Sequence, residues 1–129
     1  MRLNMKISCG TDIIEIDRIK QNIEKSGQAF LNRIYTEKEI EYCESKKVQK
    51  YQHYAARFSA KEATFKAISN QLENKYDIEW KDIEVLNDEQ GKPHLTINKI
   101  DMSNIENIDI SISHCTTYAT ANVVVLFKK

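Results

Sequence analysis

The sequence predicts a single domain of the α+β class, in which a small antiparallel sheet packs against helices. Helical spacing of apolar residues dominates the first half of the chain, and an alternation with a period of two replaces it after Trp80. The chain has 129 residues, 41% of them hydrophobic, which suffices for one core without disulfides or structural metals. We therefore expect residues 1–129 to form one domain, with helices early and the sheet late.

The chain is predicted to open with a short strand that leads into a helix. The strand covers residues 7–11, and the junction with the helix is expected near Asp12. Beyond it, Ile16, Ile19 and Ile23 recur at the spacing of one helix face. This interpretation places an acidic side chain at the end of a strand.

Two further helices are expected in the middle of the chain. Thr36 and Glu39 have the spacing of a capping box, in which the two residues cap each other's backbone at a helix N-terminus. Residues 50–69 contain good helix formers and neither glycine nor proline, which predicts a longer helix. The apolar face predicted for this longer helix consists of Tyr51, Tyr54, Phe58, Phe65 and Ile68.

A hairpin is predicted after Trp80. Apolar and polar residues alternate at 83–85 and again at 95–97. Turn residues fill positions 87–93 between them, and Gly91 is available for a left-handed backbone conformation.

Two more strands are predicted at the end of the chain. Isoleucines alternate with polar residues from 108 to 113, and an apolar run follows from 119 to 127. Such a run is typical of a strand that is buried on both faces for part of its length. A break at residues 113–117 separates the two strands.

Composition and charge argue against several classes of protein. Nineteen basic and nineteen acidic side chains cancel, unlike those of proteins that hold nucleic acid or membranes by bulk charge. Residues 1–66 carry thirteen basic and nine acidic side chains, an excess that chance explains but that would also suit an acidic partner. The three cysteines lack a metal-binding spacing, and no stretch is apolar enough to span a membrane. We expect a cytoplasmic protein that binds neither nucleic acid nor a membrane.

The most informative residue is Glu62, a carboxylate within the apolar face of the long helix. An ionised carboxylate that is buried without a partner is strongly destabilising, so it requires a cation, a metal or a neutral state. A salt bridge to Lys66, four residues further on, is the simpler explanation. The alternative is a metal site, because Asp12 is a second carboxylate among apolar residues. Two carboxylates, phosphate oxygens and water are the usual ligands of Mg²⁺.

Cations lie near Glu62 in the sequence. Arg57, Lys61 and Lys66 form either a solvated helix face or a phosphate-binding group. His114 lies at the predicted break between strands, where a lone histidine is more often structural than functional.

Four segments of the sequence carry a resemblance to a known family. They are residues 10–19 (GTDIIEIDRI), residues 57–63 (RFSAKEA) followed by Lys66 and Ala67, residues 82–93 (DIEVLNDEQGKP) and residues 111–114 (SISH). Together, in order and over nearly the full chain, they resemble the holo-acyl-carrier-protein synthases, the single-domain type of the 4'-phosphopantetheinyl transferase superfamily. The resemblance implies the fold of that superfamily and an Mg²⁺-dependent transferase of fatty acid biosynthesis. Such an enzyme moves the 4'-phosphopantetheine arm of coenzyme A to a serine of apo acyl carrier protein and releases adenosine 3',5'-bisphosphate.

The resemblance also implies roles for individual residues. Asp12 and Glu62 would ligate Mg²⁺ beside the pyrophosphate of coenzyme A. Lys66 would contact the same pyrophosphate, which makes Glu62 and Lys66 the catalytic residues. Arg57 and His114 would bind other phosphates of coenzyme A.

Protein partners are implied as well. Arg18 matches a family position that contacts an acidic helix of the acyl carrier protein. The family forms homotrimers with each active site between two subunits, and we expect the same assembly here.

The sequence departs from the family pattern in two places. The family has a Gly-Thr-Gly turn after Ala67, whereas residues 68–71 are Ile-Ser-Asn-Gln, so a close backbone approach to coenzyme A is in question. Ser69 and Asn70 are expected to end the helix instead. The family's start corresponds to Met5, so residues 1–4 are interpreted as a disordered extension or as the result of a misplaced start.

The expected reaction is attack of the carrier serine on the β-phosphorus of coenzyme A, catalysed by positioning and charge stabilisation. Either Glu62 or a water on the metal would take the serine proton. Two alternatives stay open at this stage. One is another magnesium-dependent nucleotide phosphotransferase, and the other is a degenerate module that only binds coenzyme A or a carrier protein.

Overall fold

The computed structural model describes residues 5–71 and 78–128, and it confirms the predicted α+β class. Residues 1–4, for which an extension was expected, lie outside the described part. In chain order the elements are β1 (Lys6–Glu15), α1 (Ile16–Ser26), α2 (Gln28–Ile34), α3 (Glu37–Glu44), α4 (Lys50–Ile68), β2 (Ile83–Asn87), β3 (Pro93–Ile97), β4 (Ile105–His114) and β5 (Tyr118–Phe127). No helix among the described residues is long and apolar enough to cross a membrane.

The strands form two antiparallel groups. One is a three-stranded sheet in the order β1-β5-β4, and the other is the predicted hairpin of β2 and β3. The predicted end of the first strand near Asp12 is wrong, because β1 continues until Glu15 pairs with Tyr118. Asp12 therefore lies within a strand, paired with Ala121 of the central strand β5.

The central strand β5 is buried on one face only, so the prediction of burial on both faces is wrong. Val123 and Val125 are fully buried, whereas Val124 between them is 44% exposed. The reason is that α4 packs against one face of the sheet, and no other described element covers the opposite face.

The two phenylalanines of the predicted apolar face lie on the side of α4 that contacts Trp80. Phe58 and Phe65 are only half-buried and pack on Trp80, with ring centroids 5.0 and 5.4 Å away. Tyr54 and Ile68 are fully buried, as expected for the core. All five residues of the predicted face thus belong to or pack against the core, with Tyr51, Phe58 and Phe65 only half-buried.

Small residues form the contact between α4 and the sheet. Ala60, Ala63 and Ala67 are buried in the same cluster as the valines of β5. Gly10 of β1 lies so close to α4 that a Cβ atom there would be 1.9 Å from the carbonyl oxygen of Ala63. Because these residues lack bulky side chains, β1 and α4 approach with their backbones nearly in contact.

Local signals for the ends of elements are mostly confirmed. Thr36 and Glu39 form both hydrogen bonds of the capping box at the start of α3. Gly91 has a φ of 83° in the turn of the hairpin. After α4, Ser69–Gln71 form a short 3-10 turn, so the helix ends at Ile68, as expected from Ser69 and Asn70. Helix α2 was not predicted.

Candidate active site

A cavity of about 260 Å³ lies between β1, α1 and α4. Asp12 and Glu62, the two carboxylates singled out in the sequence, both line it, together with Arg18. The strand brings Asp12 to this place because Gly10 and the alanines of α4 allow β1 to lie against the helix. Side chains separated by fifty positions in the sequence thus share one site.

The two carboxylates repel each other electrostatically. Burial raises the pKa of the half-buried Glu62, and the charge of Asp12 raises this pKa further. Lys66 acts in the opposite direction. The arrangement therefore favours a positive charge between the carboxylates.

The chemistry of these donors fits Mg²⁺. Both are hard oxygen ligands, and a magnesium ion is commonly held by one or two carboxylates plus water and substrate phosphates. Over residues 5–71 and 78–128, no group of three or more His, Cys, Asp or Glu side chains is placed to hold a metal ion. Asp12 and Glu62 are the residues of this cavity that would hold such an ion.

Lys66 ion-pairs with Asp12, not with Glu62 as considered from the sequence. Its Nζ lies 3.3 Å from Oδ1 of Asp12 and donates a hydrogen bond of 3.0 Å to the carbonyl oxygen of Thr11. The side chain is 55% exposed, and it lines a second opening beside Asp12. Lys66 is thus a partly exposed cation beside Asp12.

Arg57 and His114 belong to a second cluster. The guanidinium of Arg57 lies over the ring of Tyr42, 4.2 Å from its centroid, and donates to Oδ1 of Asn87 at 3.4 Å. Its Nε is buried without a hydrogen-bond partner. The His114 ring lies 5.9 Å from the ring of His53, which in turn packs edge-on against Tyr42. None of these five residues lines the cavity of the carboxylates.

His53 was missed in the sequence analysis. Burial lowers its pKa to about 4, and the positive charges of Arg57, Lys46 and His114 contribute to the shift. The ring is therefore neutral at neutral pH. The sequence did contain a signal that His53 lies beside Arg57. The two residues are four positions apart on one helix, and residues at this spacing are neighbours on the helix surface.

Lys61 is not part of a phosphate-binding group or of a solvated face. Its side chain is fully buried and forms an ion pair of 2.8 Å with the equally buried Glu39. From the sequence, Glu39 is recognisable only as a member of the capping box. A buried acid was not recognisable there, because its partner lies 22 residues further along the chain.

A larger cavity of about 820 Å³ opens on the other side of Glu62. Phe65, Ile78 and Trp80 form an apolar wall, and Arg33 is among the polar residues that line it. Glu62 borders both cavities. The site can therefore accommodate a substrate with a charged part beside the carboxylates and an extended, partly apolar part next to it.

Comparisons with known proteins identify the family of this chain. A family model for the 4'-phosphopantetheinyl transferase superfamily matches residues 8–123. The holo-[acyl-carrier-protein] synthase of Ruminiclostridium cellulolyticum is 44% identical over 126 residues, which cover 94% of this chain and 92% of that protein. The protein of the same name from Protochlamydia amoebophila is 45% identical over 122 residues, covering 93% and 98%.

Solved structures give the same result. The holo-[acyl-carrier-protein] synthase of Helicobacter pylori in complex with coenzyme A matches with a TM-score of 0.79 and 31% identity, over 91% of this chain and 98% of that one. The enzyme of Bacillus anthracis, in complex with coenzyme A (3',5'-ADP), matches with a TM-score of 0.78 and 34% identity, over 97% and 99%. The predicted transferase fold is confirmed. With its family model matched over residues 8–123, this chain belongs to the 4'-phosphopantetheinyl transferase superfamily.

Proposed function

We propose that this chain is a holo-acyl-carrier-protein synthase, which acts in the cytoplasm and serves fatty acid biosynthesis. It transfers the 4'-phosphopantetheine arm of coenzyme A to a serine of apo acyl carrier protein and releases adenosine 3',5'-bisphosphate. The observation that carries the proposal is the meeting of Asp12 and Glu62 in one cavity with Lys66 beside them, in a chain of this superfamily. The names of its relatives, and the coenzyme A in two solved relatives, support the choice of substrates.

Asp12 and Glu62 hold the metal in this proposal. A magnesium ion bound by them would neutralise the diphosphate of coenzyme A as charge shifts to the leaving group. Burial and the charge of Asp12 both disfavour the ionised form of Glu62, and a cation held by the two carboxylates would offset this repulsion.

The chain's own cations and carboxylates complete the reaction. The serine oxygen forms a bond to the β-phosphorus as the bond from this phosphorus to the bridging oxygen breaks. The serine proton passes to Glu62 or to a water molecule of the site. Lys66 contacts the pyrophosphate, and its exposure and its distance of 3.3 Å from Asp12 support this assignment. Arg18, which lines the same cavity, contacts the acyl carrier protein.

Arg57 and His114 bind other phosphates of coenzyme A. The unpartnered Nε of the buried Arg57 supports an anion at this cluster, since a buried donor without an acceptor is destabilising. Within one chain, Arg57 and His114 do not share the cavity of Asp12 and Glu62. A homotrimer with each active site between two subunits would bring one subunit's cluster to the next subunit's carboxylates.

The outer face of the three-stranded sheet supports such an assembly. It exposes Ile7, Ile13 and Val124, and large apolar side chains grouped on one face indicate a protein interface.

We expect Val124→Lys to convert trimers into monomers, because the change places a charge at the centre of this face. Analytical ultracentrifugation measures the mass of each form. Val48→Lys, at a 93% exposed apolar residue away from the sheet, is the matched control and should stay trimeric. A trimeric Val124→Lys variant would contradict this interface.

The transfer itself is tested by mass spectrometry. Apo acyl carrier protein incubated with this chain, coenzyme A and Mg²⁺ should gain the mass of one phosphopantetheine group, and a carrier whose acceptor serine is alanine should gain none. Binding of coenzyme A or carrier without a gain in mass would instead favour the binding module. Turnover of other nucleotides without carrier modification would favour a different phosphotransferase.

A further inference from the structure

A buried ion pair involves Lys61, the residue before Glu62 on α4, and the proposed reaction does not use it. Nζ of Lys61 lies 2.8 Å from Oε1 of Glu39, and both side chains are 0% exposed. Replacing a buried ion pair by apolar residues of similar size is often neutral or even stabilising. Stability alone is therefore a weak explanation for two charges at this position.

Lys61 uses all three of its donor hydrogens. Besides Glu39, the ammonium donates to the carbonyl oxygen of Trp80 at 3.0 Å and to that of Ile83. These three partners belong to α3, to the turn before β2 and to β2 itself. One side chain thus ties α4 to three other parts of the molecule.

Glu39 is held just as firmly. Its carboxylate accepts hydrogen bonds of 2.9 Å from the backbone N–H groups of Thr36 and Val85. The capping box of α3 and the backbone of β2 therefore fix the position of the carboxylate to which Lys61 is bound. The anchor for α4 is rigid because each of its polar groups has a partner.

The strand β1 is attached to another side of α4. Oγ of the buried Ser59 donates a hydrogen bond of 3.0 Å to the carbonyl oxygen of Asp12. Gly10 packs directly on the backbone of Ala63. Asp12 is thus placed relative to α4 by these contacts, while Lys61 connects α4 to α3 and β2.

We propose that Lys61 is a positioning residue whose ion pair with Glu39 fixes the rotation of α4 about its axis and so directs Glu62 to the cavity it shares with Asp12. Consecutive residues of an α-helix point about 100° apart, so anchoring Lys61 determines the direction of Glu62. Metal ligands must be held within roughly 10–20° of their productive orientation. The inference rests on the proposed function, because it assigns Glu62 to a metal ion.

The test is the double variant Glu39→Gln/Lys61→Met, which removes both charges and keeps side chains of similar size. We expect it to fold, as measured by circular dichroism and thermal unfolding. Its affinity for Mn²⁺, used in place of Mg²⁺ and titrated by electron paramagnetic resonance with coenzyme A present, should fall by about 10- to 100-fold. The Mg²⁺ concentration that half-saturates transfer should rise in parallel, while KM for the acyl carrier protein stays unchanged.

A matched control separates positioning from loss of stability. Tyr54→Phe removes the 2.7 Å hydrogen bond from Tyr54, also on α4, to Glu44 and leaves every partner of Lys61 in place. It should lower the unfolding temperature and leave the affinity for Mn²⁺ unchanged. Glu39→Gln alone keeps an oxygen for the ammonium and is measured in parallel. If the double variant does not fold, this single variant decides, and a reduced affinity for Mn²⁺ is expected of it.

Two results would overturn the inference. One is a folded Glu39→Gln/Lys61→Met variant that binds Mn²⁺ as tightly as the wild type. If the double variant does not fold, the same result for a folded Glu39→Gln variant counts instead. The other is a Tyr54→Phe variant that weakens Mn²⁺ binding as much as the double variant does. A wild-type chain that binds Mn²⁺ but modifies no carrier protein would refute the proposed function. The role of Lys61 would then still be decided by the Mn²⁺ affinities of the variants.

Discussion

Replacing Glu62 by glutamine is expected to abolish phosphopantetheine transfer while the chain stays folded. Glutamine keeps the shape of the side chain but removes one of the two charges that would hold the metal ion. A loss of about a thousandfold in kcat corresponds to ~4 kcal/mol of lost transition-state stabilisation. The folded state should be at least as stable as the wild type, because burial and Asp12 both disfavour the charged form of Glu62. Single-turnover assays and thermal unfolding measure the two effects.

The control for Glu62→Gln is the same substitution at a glutamate outside the proposed site. Glu24 lies exposed on α1, so Glu24→Gln should retain wild-type activity. Asp12→Asn should lose activity as Glu62→Gln does, since in the proposed function both carboxylates would hold the same ion. Full activity of Glu62→Gln at saturating Mg²⁺ would remove this residue from the metal site.

Gly10→Ala is expected to destabilise the protein more than a glycine-to-alanine substitution at an open position such as Gly91. The added methyl carbon would lie 1.9 Å from the carbonyl oxygen of Ala63 and 2.9 Å from the backbone nitrogen of Ala67. Neither atom belongs to a flexible side chain, so β1 must move away from α4. We expect a loss of about 3 kcal/mol in the free energy of unfolding, at the upper end of what overpacking costs. Urea denaturation measures this loss.

Activity should fall together with stability in Gly10→Ala. Asp12 lies only two residues further along β1, so any displacement of the strand moves a proposed metal ligand away from Glu62. Gly91→Ala is the matched control, because a Cβ atom there meets nothing within 4 Å and only the φ of 83° is unfavourable. It should cost about 1 kcal/mol and no activity. If Gly10→Ala were as stable as Gly91→Ala, the close approach of β1 and α4 would be disproved.

Features that depend on neighbouring residues were predictable from the sequence. The capping box of Thr36 and Glu39 involves two residues three positions apart, and the hairpin turn depends on Gly91 and the alternation on either side of it. Each signal and the structure it produces lie within one short segment. For this reason the α+β class and the order of most elements followed from the chain alone.

Features that depend on distant partners were not predictable in the same way. Strand β1 extends to Glu15 because Tyr118 provides a pairing partner more than a hundred residues away. The outer face of β5 is exposed because α4 covers only the inner face. Phe58 and Phe65 are only half-buried and pack on Trp80 beside the core, since alanines occupy the side of α4 that faces the sheet.

By itself the sequence indicated Asp12 and Glu62 as candidate site residues, because carboxylates among apolar residues require a cation, a metal or a neutral state wherever they are placed. Only the tertiary structure decided which partner each charge has. It pairs Lys66 with Asp12, and it buries Lys61 with Glu39 instead of exposing it to phosphate. The physical reason is that a charge is neutralised by whatever group packing brings within a few ångströms, and no local periodicity of the sequence encodes that distance.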